Sequence, residues 1–246
     1  VSTDRGRSGN RHHFSRQTMN HSTPHTSTGI ASAPTGCGGQ PAGRERPCNR
    51  LSDFVIHMAD VLIALVCLIA FSPLLLLCAM MVYSEDRGPV IFRQERIGLH
   101  GKPFMILKFR TMQRGAENDG PQLCSSDDDR DPRLLKVGHW LRRHHLDELP
   151  QLWNVVRGDM AFVGPRPERL FYIEQILKHD SRYSLLYSIR PGVTSFATLY
   201  NGYTDTMEKM LRRLELDLYY LNQRSIWLNI RILWLTFYRI ASGKVF

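Results

Sequence analysis

Residues 61–82 (VLIALVCLIAFSPLLLLCAMMV) run for 22 positions without a charge, about 33 Å as a straight helix and enough to cross a hydrocarbon core of roughly 30 Å. A single span is the simplest expectation. Against it stands Pro73, thirteenth of the 22, which removes one backbone donor and leaves the Ile69 carbonyl without its helical partner. Ser72 lies three residues beyond Ile69, so its hydroxyl can take up that carbonyl and make a bend tolerable in lipid. Bent sharply, the run becomes limbs of 12 and 10 residues, about 18 Å and 15 Å, and neither crosses. The chain would then enter and leave by one face. Basic residues flank both sides, Arg44, Arg46 and Arg50 before and Arg87, Arg93, Arg96 and Lys102 after, whereas a span concentrates them on its cytoplasmic side. Pro-kinked spans are also common, and on the residues alone the two topologies stand level. No second apolar run of this length occurs, so a polytopic protein is not expected.

The charge is segregated. Residues 1–50 hold seven arginines against Asp4 and Glu45, half of the chain's net +9, among Ser, Thr, Gly, Pro, His and Asn. With so few aliphatic side chains to offset ordering entropy, 1–47 is expected to be a disordered basic tail, dispensable for activity. The balance left on 48–246 gives no argument for nucleic acid; phosphate-bearing partners or an anionic membrane surface fit. Five cysteines form no CxxC pair, which argues against a disulfide framework or a zinc site. The organisation expected is a tail (1–47), a membrane helix pair (48–83) and a helix-rich α/β, or α+β, domain (84–246).

Within that domain, 90–94 and 104–111 read as short strands around a Gly98–Gly101 turn. Helices are expected at 132–145, 149–156, 168–179, 206–222 and 226–241. The last is rich in Trp and Tyr with Arg231 and Arg239 its only charges, which suits a membrane interface and an ordinary core helix equally. Residues 113–132 read as a polar surface loop; its acidic run Asp127, Asp128, Asp129, Asp131 lacks calcium-loop spacing.

The chemistry concentrates in 141–167, LRRHHLDELPQLWNVVRGDMAFVGPRP. Asp147 and Glu148 precede Pro150, and the plain reading is a helix N-cap with a dipole-compensating acid. Their neighbours argue for more: Arg142, Arg143, His144 and His145 lie upstream and Arg166 in a Gly-Pro-Arg-Pro turn downstream, a setting for a metal and phosphates together. Adjacent carboxylates on a helix diverge by about 100°, so separate roles are natural, one attacking phosphorus and the other holding a divalent cation. Arg190, in Arg-Pro-Gly, and Lys108, in Lys-Phe-Arg-Thr, are further phosphate candidates. No Walker loop, GxGxxG or nucleophile elbow is present.

Taken in order, the Ser72-Pro73 run, GPVIFRQERIG (88–98), KFRTM (108–112), LDELPQLWNVVRGDMAFVGPRP (146–167) and RPGVTS (190–195) resemble the bacterial sugar transferase family of monotopic phosphoglycosyl transferases, in its small, single-anchor form. The resemblance covers about 50–246. It implies a re-entrant helix-break-helix, with Ser72 and Pro73 at the break, on the cytoplasmic face of the bacterial inner membrane, and interfacial C-terminal helices. It further implies transfer of a sugar phosphate from a UDP-sugar to polyprenol (undecaprenyl) phosphate with release of UMP, the first membrane step of a surface glycan. By position Asp147 corresponds to the nucleophile of a covalent intermediate and Glu148 to the ligand of magnesium, Mg2+. Lys108, Arg142, Arg166, Arg190 and Asp217 correspond to polar positions around the phosphates and nucleotide. Two departures stand out. Ser195-Phe196-Ala197 replaces a Gly-Trp-Ala stretch, and Asn201-Gly202-Tyr203 replaces a block that often ends in Arg, which bears on sugar choice. Larger members carry spanning helices ahead of this domain, and none is expected here. Direct attack of the lipid phosphate in a ternary complex, and a non-catalytic membrane scaffold, are the competing readings.

Overall fold

The computed structural model describes residues 50–116, 131–202 and 204–242, all within one compact unit, Gly38–Phe246. The expected tail and Asp127, Asp128 and Asp129 lie outside the described residues.

The apolar run forms two helices, α1 (Arg50–Ala70) and α2 (Ser72–Asp86), interrupted at Phe71. Pro73 sits in the first turn of α2, where its missing donor costs little. The Ser72 hydroxyl donates to the Ile69 carbonyl at 2.8 Å, the acceptor that the proline strands. The expectation of two short limbs needs correction. Helix α1 begins well ahead of Val61 and at 21 residues, about 32 Å, reaches spanning length by itself. The apolar spacing of Phe54, Val55 and Met58 continues the helix through Asp53, His57 and Asp60, charged or titratable positions that do not interrupt it.

That first half of α1 is tied to the domain. Arg224 donates to Asp53 at 2.7 Å, and the Phe162 N–H donates to Asp60 at 3.3 Å. Farther along, Ala64, Cys67 and Leu68 pack with Leu152, Val155 and Met160. Beyond the break, Leu74, Leu75, Cys78 and Val82 pack with Phe109 and Leu141. Both limbs therefore lean on the domain close to the break, while Leu62, Val66, Ile69, Leu76 and Met80 leave an exposed apolar face.

An antiparallel hairpin follows, β1 (Ile91–Ile97) and β2 (Pro103–Phe109), with Phe92 opposite Lys108. Helix α3 (Lys136–Arg143) is shorter than the 132–145 expected. Arg133 is drawn into an ion pair with Asp131 at 2.6 Å, and His145 takes a left-handed backbone, φ 55°. Residues Leu146–Glu148 make one 3₁₀ turn into α4 (Gln151–Val156). Buried Asn154 on α4 locks this segment to the hairpin, accepting from the Leu107 N–H at 3.0 Å and donating to the Met105 carbonyl at 2.8 Å.

Two three-residue strands that periodicity could not reveal, β3 (Ala161–Val163) and β4 (Gly192–Thr194), pair in parallel. Helix α5 (Leu170–His179), a 3₁₀ segment (Ser181–Ser188) and α7 (Met207–Gln223) close a core of Ile173, Ile176, Tyr183, Leu186, Met210 and Leu214. Between β4 and α7 lies α6 (Phe196–Asn201), also unforeseen. Helix α8 (Ile226–Ala241) has the expected bounds. Ile232 is buried and Leu228 and Leu235 pack beside it, while Trp227, Ile230, Trp234 and Phe237 are exposed. The architecture is a helix-rich α/β arrangement with, among the described residues, one antiparallel and one parallel strand pair.

Candidate active site

Three segments converge on one cavity of about 860 Å³. Strand β2 delivers Lys108, the 3₁₀ turn delivers Asp147 and Glu148, and the Gly164-Pro165-Arg166-Pro167 loop after β3 delivers Arg166. Bare backbone fixes that loop. A Cβ on Gly164 would stand 2.3 Å from the Arg190 carbonyl oxygen, while the Gly192 N–H donates to the Pro165 carbonyl at 2.9 Å. At the other wall, Arg142 on α3 donates to the Thr111 hydroxyl at 2.9 Å. Gly138 lets α3 approach, since a Cβ there would lie 2.1 Å from the Thr111 carbonyl oxygen.

The two carboxylates differ in their surroundings. Glu148 Oε1 accepts from Lys108 at 2.6 Å and from Arg166 at 3.2 Å. Burial pushes its carboxyl up, but these two cations outweigh burial and hold it well below the usual carboxylate range. Asp147, 7% exposed, takes no hydrogen bond from a side chain among the described residues. Burial raises its carboxyl to about 6 against the pull of Lys108, and the charge of Glu148 adds to the rise. Nor does Asp147 cap α4: Pro150 holds that position, without a side-chain hydrogen bond. His145 is pushed down, chiefly by burial.

Of the residues singled out from sequence, Lys108, Arg142, Asp147, Glu148 and Arg166 line this cavity. Arg190 does not. It precedes β4, whose far end, Thr194, reaches the cavity; Arg190 therefore sits at the opposite end of the parallel pair. There it donates to the Gly158 carbonyl at 2.9 Å and lines a small pocket with Asp53, His57, Asp60 and Arg224. Asp217 is buried and does not reach the cavity wall. Burial raises it to about 7 against nearby Arg213. What does reach the wall is Glu168, ion-paired to Arg213 at 2.6 Å and Arg96 at 3.3 Å. Sequence reasoning passed over Glu168, Arg213 and Arg110, although Glu168 directly follows the Gly-Pro-Arg-Pro turn and Arg110 stands two places from Lys108.

Among the described residues no group of three or more His, Cys, Asp and Glu side chains is placed to hold a metal. Magnesium keeps several waters and needs one or two carboxylates beside substrate phosphates, and the carboxylate of Glu148 fits that requirement. Lys108 and Arg166 both engage Oε1 of Glu148 and leave its Oε2 without a hydrogen bond from either.

Paired carboxylates of unlike environment thus share a cavity lined by arginines. The chain belongs to the bacterial sugar transferase family, whose model matches residues 51–243. It is 40% identical over 202 residues to a UDP-glucose:undecaprenyl-phosphate glucose-1-phosphate transferase of Escherichia coli, covering 81% of this chain and 43% of that protein. A relative of the same name from Caulobacter vibrioides is 41% identical over 72% of this chain and 66% of its own length. A UDP-N-acetylgalactosamine-undecaprenyl-phosphate N-acetylgalactosaminephosphotransferase of Aeromonas hydrophila is 35% identical, over 77% of this chain and 44% of its own length. The chain thus spans less than half the length of the Escherichia and Aeromonas relatives.

Proposed function

We propose that this protein transfers a sugar 1-phosphate from a UDP-sugar to undecaprenyl phosphate, releasing UMP, through a covalent aspartyl intermediate. The observation that carries this reading is the division between the carboxylates: Glu148 is held through Oε1 by Lys108 and Arg166, while Asp147 stands desolvated beside it and, among the described residues, takes no hydrogen bond from a side chain. A carboxylate free of hydrogen-bond donors keeps its lone pairs for attack. An Asp147 oxygen attacks the sugar-bearing phosphorus, the bond from that phosphorus to the bridging oxygen breaks, and UMP departs with the bridging oxygen. A phosphate oxygen of the lipid then attacks the same phosphorus and returns Asp147 to its carboxylate form. No proton needs to move in either step. Lys108, Arg142 and Arg166 hold the phosphate oxygens and offset their charge. Magnesium held by Glu148, when bound, would supply further neutralisation of those oxygens.

The membrane reading rests on the same geometry. Polar contacts of Asp53 and Asp60 tie the first half of α1 to the domain, and beyond them one face of each limb packs on it, so the pair offers lipid an apolar face alongside the domain rather than a free span. The pair α1–α2 enters and leaves by one face, and α8 lies in the interface with its Trp residues toward lipid. The catalytic domain sits on the cytoplasmic face of the inner membrane, where UDP-sugars are available.

Incubation of the purified chain with undecaprenyl phosphate, magnesium and a panel of UDP-sugars tests the reaction. UMP and a lipid-linked sugar diphosphate are expected with at least one donor, and silence across a broad panel would favour a non-catalytic scaffold.

A further inference from the structure

Arg110 closes β2, its N–H donating to the Val90 carbonyl at 2.9 Å. Its side chain is 7% exposed and lines the same cavity as Asp147. Nη1 stands 3.0 Å from Asp86 Oδ2, yet none of the three guanidinium nitrogens makes a hydrogen bond. A guanidinium carries five N–H donors in a fixed fork, and donors left unmet in the interior are costly. One misaligned carboxylate does not satisfy them. A second guanidinium converges on the same place. A Cβ on Gly88 would lie 2.2 Å from Nη1 of Arg110 and 2.5 Å from Nη2 of Arg114, so both forks rest over that bare backbone. Nε of Arg114 is 3.9 Å from the same Asp86 oxygen. Two cations sharing one carboxylate leave a net positive charge, and two planar forks suit the oxygens of a phosphate.

The position indicates which phosphate. Asp86 ends α2, the returning limb of the apolar pair, and Pro89 and Phe92 add apolar surface to the same cavity. Lys108, the partner of Glu148, lies two residues back along β2, roughly 7 Å away. A phosphate on Arg110 would stand between the membrane-embedded helices and the reacting carboxylates.

We propose that Arg110 and Arg114, converging over Gly88, form the binding site for the phosphate monoester of the lipid acceptor, separate from the cations that grip Glu148. This rests on the sugar-phosphate transfer reading. Arg110→Lys keeps the charge and loses the fork; Gly88→Ala pushes both flexible guanidinia aside with a single methyl group. For each variant, with folding checked by thermal unfolding, three quantities are measured: calorimetric binding of a water-soluble prenyl phosphate, the KM for undecaprenyl phosphate, and UMP released from UDP-sugar without acceptor. Roughly tenfold weaker prenyl phosphate binding and a matching rise in acceptor KM are expected, with acceptor-free UMP release unchanged. Acceptor affinity within twofold of wild type in both folded variants would overturn the proposal. So would loss of acceptor-free UMP release at unchanged acceptor affinity, which would assign the fork to the donor diphosphate. Absence of acceptor-free release from the wild type would count against the covalent route, and the calorimetric affinity would still decide the acceptor site.

Discussion

Lys108 Nζ lies 2.6 Å from Oε1 of Glu148, although 40 positions separate them in the chain. Asn154 fixes that distance by bonding the β2 backbone on either side of Ile106, so the ammonium is presented by a strand already clamped to the helix after Glu148. Removing the charge of Glu148 leaves Lys108 and Arg166 without their shared partner. Glu148→Gln should lower turnover by about two orders of magnitude, and raised magnesium should recover part of the loss if metal binding is what was weakened. Turnover at the wild-type level would remove Glu148 from the site.

Gly138 predicts a stability effect with a local cause. A methyl group there meets the Thr111 carbonyl, carbon and Cα, backbone atoms that cannot swing aside. Gly138→Ala should cost about 2 kcal/mol or more, lowering the Tm by several degrees, and should loosen the Arg142–Thr111 contact. A Tm equal to wild type would mean that α3 does not pack as closely as described.

Asp217 predicts a pH dependence. Its folded-state value, about 7 against an ordinary 3.8, means that the folded chain holds this proton more tightly than the unfolded one. Stability contributed by the protonated group is therefore lost as pH rises from about 4 through 7. Asp217→Asn removes the titration, so the variant should gain on wild type by roughly 3 kcal/mol between pH 4.5 and 8 in denaturant melts. A difference that does not change with pH would show the carboxylate ionised and balanced by Arg213.

The anchor predicts a labelling pattern. Single cysteines at positions 50 and 87, in a background stripped of the five native ones, should both react with a membrane-impermeant reagent added from the cytoplasmic side alone. Labelling from opposite faces would make α1 a span.

Much of this site was legible because its chemistry is concentrated. Asp147, Glu148 and Arg166 stand within 20 residues of one another, and Ser72 beside Pro73 carried its own hydrogen-bond prediction, met by the Ile69 carbonyl. Arg190 misled because no local pattern tells which end of a strand faces the cavity; β3 and β4 span three residues each, too short for alternation to register. Helix α1 outran its expected limb because the absence of charge, rather than the continuing helical spacing of Phe54, Val55 and Met58, set the boundary. Arg110 was invisible for another reason: its significance lies in hydrogen bonds that it does not make, which only packing can reveal.

The covalent role of Asp147 is tested most directly by rapid mixing of the chain with a cognate UDP-sugar and magnesium, with no lipid acceptor present. Close to one UMP per active site is expected in a burst, with sugar phosphate retained on the protein, and Asp147→Asn should abolish both because an amide is a poor nucleophile. A fully active preparation that releases no UMP until undecaprenyl phosphate is added would contradict the account and assign the attack to the lipid phosphate itself.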